Sequence, residues 1–305
     1  MGTNRRDLLK LMGLGGVVFA SSLAPGLVAC AGSGTPRGAE SDFFFLQLSD
    51  THWGFSGAMV NPESATLLKD TVAAINSAVE KPDFVIFTGD LIHDDATVDL
   101  PTRLSRMTEF MSIVGGITGT TLKFIAGEHD AAADQGATFQ KVFGPLHYSF
   151  DHKGIHFVVL DNVSSPTATL GASQLAWLQS DLAPLDKEAP IVVFAHRPLF
   201  DLYAQWDWTT ADGQQAIDIL SAYRNVTVFY GHIHQEIDTM TGSIPHHSAR
   251  SLMFAFPPAA SQPMRTPIPW DSADPGKGLG YRSVDAGLAP ESYRITDLPP
   301  ALTGG

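Results

Sequence analysis

The chain has 305 residues, of which 44% are hydrophobic and 17% charged. This composition excludes a disordered or fibrous protein and allows one large domain or two modest ones with a sizeable core. The formal net charge of −13 argues against long polyanions, because DNA, RNA and anionic lipid are held through Lys and Arg. A small anionic substrate remains compatible where metal ions supply local positive charge.

Residues 1–29 read as an export signal. Arg5 and Arg6 precede Leu8, Leu9 and Lys10, and a moderately apolar stretch with glycines follows, the pattern of a bacterial twin-arginine signal. Leu27-Val28-Ala29-Cys30 resembles the lipobox of bacterial lipoproteins, which predicts cleavage before Cys30 and lipidation on it. The bland alternative is an uncleaved membrane anchor with an incidental cysteine. Cys30 is the only cysteine, so no intrachain disulfide can form. Residues 30–41 are a small-residue tether. The expected product is a periplasmic or cell-surface lipoprotein that meets the membrane only through the lipid on Cys30.

From residue 43 onward, short apolar runs alternate with amphipathic segments. The runs 43–48, 84–87, 122–126, 157–160, 191–195 and 226–230 are apolar without alternation, as in strands buried on both faces. A helix is predicted to start at Asn61-Pro62, with Leu68, Val72, Ile75 and Val79 at helical spacing. Others are predicted over 101–114, 172–182 and 212–223. The alternation predicts an α/β domain with largely parallel strands over 42–256. Residues 257–305 are rich in Pro and Gly and read as an irregular flap, with one or two edge strands, packed on the same domain.

The polar residues cluster after the strands. Ser49-Asp50-Thr51-His52, Gly89-Asp90, Gly127-Glu128-His129-Asp130, Asp161-Asn162, His196 and Gly231-His232-Ile233-His234 each follow an apolar run. Sites in open α/β sheets form beyond the carboxyl ends of strands. Asp50 with His52, and His232 with His234, are i,i+2 pairs that project from one face of extended chain. Mixed imidazole and carboxylate ligands suit zinc, iron or manganese, whereas an all-oxygen set suits magnesium or calcium.

Five of these blocks, Asp50-Thr51-His52, Gly89-Asp90, Gly127-Glu128-His129-Asp130, His196 and Gly231-His232-Ile233-His234, in this order over residues 50–234, resemble the signature of the calcineurin-like metallophosphoesterase family. That family includes purple acid phosphatases, protein phosphatases and cyclic nucleotide phosphodiesterases. The resemblance implies an α/β, metallophosphoesterase-type sandwich of two mixed β-sheets flanked by helices. It also implies two metal ions per chain (Fe, Mn or Zn). Asp50, His52 and His234 would hold one ion, His196 and His232 the other, with Asp90 bridging and residue 128 completing the second. His129 would stabilise the transition state or protonate the leaving oxygen, with Asp130 orienting its ring. A metal-activated hydroxide would attack phosphorus in line. The implied substrate is a small phosphomonoester or phosphodiester.

The family usually carries asparagine where Glu128 stands. With asparagine, two divalent ions, a bridging hydroxide and the two aspartates leave one positive charge. Glu128 cancels it, and one trivalent ion would restore it. A mixed-valence Fe(III)/divalent pair is therefore expected, with a slower all-divalent site as the alternative. No tyrosine follows Asp90 closely, so a purple chromophore is not expected.

Other residues keep two readings. Trp53, and Trp206 and Trp208 with Tyr203, form either an aromatic wall for a substrate ring or a loop folded onto the sheet by its own side chains. Asn162 contacts substrate or closes an Asx turn. His246 or His247 lines a phosphate pocket or packs in a hairpin. Arg197 clamps phosphate or sits at the surface. His93-Asp94-Asp95 reads as a solvated loop rather than a third metal site, and His147, His152 and His156 as structural. At the level of function, a catalytically degenerate metal-binding lipoprotein is the alternative to an active phosphoesterase.

Overall fold

The computed structural model describes residues 43–55, 60, 62, 64–95, 97–286 and 293–301. The export signal, Cys30, the tether and Asn61 lie outside the described residues. Among the described residues eleven strands form two sheets: β1 Phe44–Leu48, β2 Phe84–Thr88, β3 Thr121–Ile125, β4 Tyr148–His152, β5 Ile155–Val159, β6 Pro190–Phe194, β7 Asn225–Tyr230, β8 Asp238–Thr241, β9 Ile244–Ser248, β10 Tyr281–Asp285 and β11 Arg294–Leu298. The helices are α1 Ser64–Ser77, α2 Leu100–Val114, α3 Glu128–Ala131, α4 Ala137–Val142, α5 Gly171–Leu182 and α6 Gly213–Leu220.

The first sheet has the order β11-β10-β1-β2-β3 and the second β4-β5-β6-β7-β9-β8. Both are mixed. β1, β2 and β3 run parallel, while β10 is antiparallel to β1 and β11. β5, β6, β7 and β9 run parallel, and β4 and β8 close the edges as antiparallel hairpin partners. The two sheets face each other across a phenylalanine-rich layer. Phe45 from β1 lies edge-on to Phe157, Phe194 and Phe229 of the second sheet, at ring distances of 6.1, 5.7 and 5.8 Å. Helices α1, α2 and α4 cover the outer face of the first sheet, and α5 and α6 that of the second. Both faces of each central strand are thus buried, which is why those strands read as continuous apolar runs.

Local chemistry sets several boundaries. Asp99 caps α2 by accepting the Thr102 N–H at 2.8 Å, and Pro101 sits in its first turn. Helix α1 ends at Ser77, so Val79 lies beyond it and is 77% exposed, not part of the apolar stripe. Helix α6 ends at Leu220, shorter than its sequence pattern. The Pro/Gly-rich tail departs most from expectation. Its β10 is an internal strand, paired to β1 on one side and β11 on the other. No helix among the described residues is long and apolar enough to cross a membrane.

Candidate dinuclear metal centre

The carboxyl ends of β1, β2 and β3 meet those of β6 and β7 at one end of the sandwich. Two groups of side chains gather there: Asp90, Glu128, His196 and His232, and beside them Asp50, His52 and His234. Asp90 lies between them, with its Oδ2 3.7 Å from His52 Nε2 and 3.4 Å from His196 Nε2. In the first group, Glu128 Oε2 is 2.9 Å from His196 Nε2 and Oε1 is 2.8 Å from His232 Nδ1. In the second, His234 Nε2 is 3.2 Å from both Asp50 Oδ1 and His52 Nε2.

The backbone is forced to present these groups. Asp50, His52, Asp90, His232 and His234 all have positive φ, at 53°, 40°, 49°, 65° and 54°. Each such non-glycine residue costs of order 1 kcal/mol or more, and this strain collects at functional sites. The reversal turns the side chain from the strand face to the strand end. Glycine serves a different need at 127 and 231, namely close approach. A Cβ on Gly127 would lie 2.1 Å from the Asp90 nitrogen and carboxylate, and one on Gly231 2.1 Å from Ser49 Oγ.

The residues fit metal ions. His196 Nε2 and Glu128 Oε2 are buried and only 2.9 Å apart, yet neither has a hydrogen-bond partner. Leaving such atoms unpaired costs ~1–3 kcal/mol each. A cation between them satisfies both. The opposite ring nitrogens are committed elsewhere. His196 Nδ1–H donates to the Thr88 carbonyl at 2.7 Å, His234 Nδ1–H to Phe254 at 2.7 Å and His232 Nε2–H to Asp207 at 3.1 Å. Each bond fixes the tautomer whose lone pair faces the cluster.

The charges are mutually induced. Burial works to raise Glu128, but His232, His196 and Arg197 outweigh it and hold its carboxyl well below the usual range. Burial opposes protonation of His196, but Asp90 and Glu128 outweigh it and raise that imidazole well above its ordinary value. Burial drives His52 the other way, well below it.

His129 sits beside both groups without joining either; with His52 and His93 it makes a third group whose ring nitrogens could hold a cation, where the sequence reads as a solvated loop. Its Nδ1–H donates to the Asp94 carbonyl at 2.5 Å, its backbone N–H to Asp90 Oδ1 at 2.9 Å. Asp130 does not orient that ring. Its carboxylate accepts the backbone N–H groups of Leu91 and Gly127 on Oδ2 (3.0 and 2.8 Å) and Ile92 on Oδ1 (3.0 Å). It therefore clamps the β2 and β3 loops together. Burial and the Asp90 charge push its carboxyl up to about 7, against those three donors.

The other expected site residues fall elsewhere. Trp53 donates from Nε1 to Glu109 on α2 at 3.3 Å. Trp206 and Trp208 pack edge-to-face at 5.2 Å inside a satellite core with Tyr230, Met253, Phe254 and Phe256, so they close their own loop. Asn162 spends its amide on Thr210 at 2.8 Å and on the Arg197 backbone. His246 and His247 lie on β9, bonded to Thr241 at 2.6 Å and Asp238 at 2.8 Å. The His93 loop is not a solvated one: His93 Nδ1 is 3.1 Å from His52 Nδ1, its ring stacks on His129 at 4.4 Å, and Asp94 pairs with Arg103 and Arg106. His152 and His156 bond Asp83, Asp151 and Asp181 around the β4–β5 hairpin, and His147 packs on Trp177.

Two arginines reach the site. Arg197 is buried, with Nη2 3.5 Å from Glu128 Oε1 and 2.6 Å from Asp207 Oδ2. Arg265, from the Pro-rich tail, places Nη1 3.2 Å from His232 Nε2. Nothing in the sequence around Arg265 signals this approach.

Two mixed sheets with carboxylates and imidazoles gathered at their strand ends are the architecture of a metal-dependent hydrolase. The sequence model of the calcineurin-like phosphoesterase family matches residues 45–236, and the chain belongs to that family. Over 228 residues it is 27% identical to a probable cyclic nucleotide phosphodiesterase of Rhodopseudomonas palustris, covering 68% of this chain and 77% of that one. It is 26% identical to a 3′,5′-cyclic adenosine monophosphate phosphodiesterase of Pseudomonas aeruginosa, covering 75% and 83%. A dimetal phosphatase from Danio rerio shares the fold with a TM-score of 0.56 at 15% identity, over 84% of this chain and 98% of that one. A purple acid phosphatase from yellow lupin does so at 0.57 and 15%, over 83% and 51%. The chain is a hydrolase of phosphoric ester bonds, and its fold and ligand groups imply a dinuclear divalent metal centre.

Proposed function

We propose that the protein hydrolyses a small phosphomonoester or phosphodiester at two metal ions. Asp50, His52 and His234 hold one, Glu128, His196 and His232 the other, and Asp90 both. The observation that carries this reading is Asp90, whose Oδ2 lies within 3.7 Å of ligands from both groups. Bound ions supply Lewis-acid charge and an activated water at neutral pH. His129 supplies the proton. Its Nδ1–H is fixed on the Asp94 carbonyl, which leaves Nε2 for the leaving oxygen. Burial disfavours the imidazolium, but Asp90, Glu128 and that carbonyl raise its pKa overall, as a general acid requires. The relatives named as cyclic nucleotide phosphodiesterases support a small substrate, as does the −13 net charge. The twin-arginine and lipobox segments support export and anchoring through Cys30.

Turnover of p-nitrophenyl phosphate or its bis-ester by the purified domain is expected to vanish on chelation and return with manganese, zinc or iron. Metal binding without turnover under every pairing would instead identify a binding protein.

Arg197 changes the charge count behind a mixed-valence pair. Its guanidinium beside Glu128 returns the single positive charge that the glutamate removes, and its other partner, Asp207, is exposed and screened by water. Two divalent ions then suffice. Glu128→Asn is expected to keep the fold and weaken metal binding at the Asp90–His196–His232 group about tenfold, because Arg197 then faces the ion unshielded. Metal titration of the variant checks this; unchanged affinity and rate would remove Glu128 from the ligand set. Activity that requires iron would reinstate the mixed-valence pair.

A further inference from the structure

The tail between β9 and β10 carries a cation to the mouth of the site. Ile268 N–H bonds the Ala255 carbonyl at 2.8 Å, and Gln262 Nε2 bonds Thr266 at both its hydroxyl (2.6 Å) and its carbonyl (3.1 Å). These contacts hold the turn that carries Arg265. Its guanidinium lies 5.3 Å over the Phe256 ring, and Phe256 in turn packs on His234 at 4.6 Å. Its Nη1 reaches His232 Nε2. Arg265 thus meets one ligand group directly, at His232, and the other only through Phe256.

That reach ends on a donor. With His232 Nδ1 facing Glu128 and the cluster, the ring proton is on Nε2 and donates to the Asp207 carbonyl. Arg265 cannot then donate to Nε2. Among the described residues no carboxylate lies within ion-pair distance of Arg265, unlike Arg197, which has Glu128 and Asp207. A half-buried guanidinium with five N–H donors is left facing an imidazole N–H. It is built to bind an anion.

We propose that Arg265 binds a non-bridging oxygen of the substrate phosphoryl group and biases the enzyme toward phosphomonoesters. A monoester dianion carries twice the charge of a diester and one more free oxygen, so the same guanidinium gains more from it. The Phe256 ring fixes the arginine's plane and orients it without neutralising it. The inference rests on the two-metal reading above. It makes the tail, not the ligand blocks, the carrier of ester selectivity.

The test uses metal-loaded protein and inorganic phosphate. Arg265→Ala is expected to weaken phosphate binding by calorimetry, and kcat/KM for p-nitrophenyl phosphate, each about ten- to a hundredfold. For bis(p-nitrophenyl) phosphate the loss is expected to be only a few-fold, with most of the monoester loss in KM. Arg265→Lys should recover part of the binding. Metal content and melting temperature should match the unsubstituted protein. Unchanged phosphate affinity overturns the proposal, as does a loss of metal from the variant, which would make Arg265 a support for His232. Equal losses on both esters overturn the selectivity. If the unsubstituted protein turns over neither ester, it is the two-metal reading that fails; phosphate binding is still scored on its own.

Discussion

Asp90→Ala is expected to lower kcat/KM on any phosphoester substrate by roughly a thousandfold or more, and to cut the bound metal from two ions to one or fewer. The carboxylate is buried and faces ligands of both groups, so its loss affects both ions together. Metal ions at such centres supply several kcal/mol of transition-state stabilisation, and about 4 kcal/mol corresponds to roughly a thousandfold in rate. The fold should survive, because Asp90 contributes no apolar packing and its removal relieves repulsion against Glu128 and Asp130. Elemental analysis alongside kinetics decides the matter: two tightly held ions and near-normal turnover in the variant would mean Asp90 is not shared.

Gly127→Ala is expected to act almost as severely without touching a ligand. The added methyl would meet the Asp90 backbone nitrogen and Oδ1 at 2.1 Å, far inside van der Waals contact. Either the β3 loop or the Asp90 loop must retreat. Overpacking of this kind costs ~1–3 kcal/mol of stability. A displacement of about 1 Å in a catalytic constellation costs roughly a hundredfold in rate. The Asp130 clamp on the Gly127, Leu91 and Ile92 N–H groups would be strained by the same movement. Calorimetry and kcat/KM on one preparation test both parts, and a variant as stable and active as its parent would show that the two loops can separate freely.

Much of this fold is legible in the sequence because its strands are buried on both faces. Phe84–Thr88 and Asn225–Tyr230 read as apolar runs since helices cover one side and the opposing sheet the other. The candidate ligands are legible for a related reason. Asp50, Asp90, His196 and His232 each follow such a run at the point where it breaks. What the sequence hides depends on contacts between distant segments. Nothing near residue 281 announces that Tyr281–Asp285 will pair with Phe44–Leu48, more than two hundred positions earlier. Asp130 follows His129 and so invites a ring-orienting role, but the turn aims its carboxylate at backbone N–H groups instead. Trp206 and Trp208 satisfy each other and Phe256, a packing solution that residue type alone does not separate from a substrate wall. Arg197 and Arg265 arrive beside Glu128 and His232 through tertiary approach, without a motif.

The candidate ligands are divided between the sheets: Asp50, His52, Asp90 and Glu128 follow strands of the first, His196, His232 and His234 strands of the second. Each ion, bound as proposed, would draw ligands from both sheets. Cation affinity and docking of the sheets across the phenylalanine layer are therefore thermodynamically linked, each strengthened by the other. The proposed centre would then be a clasp as well as a reaction site: a protein charged with its ions would resist parting along the seam between its sheets.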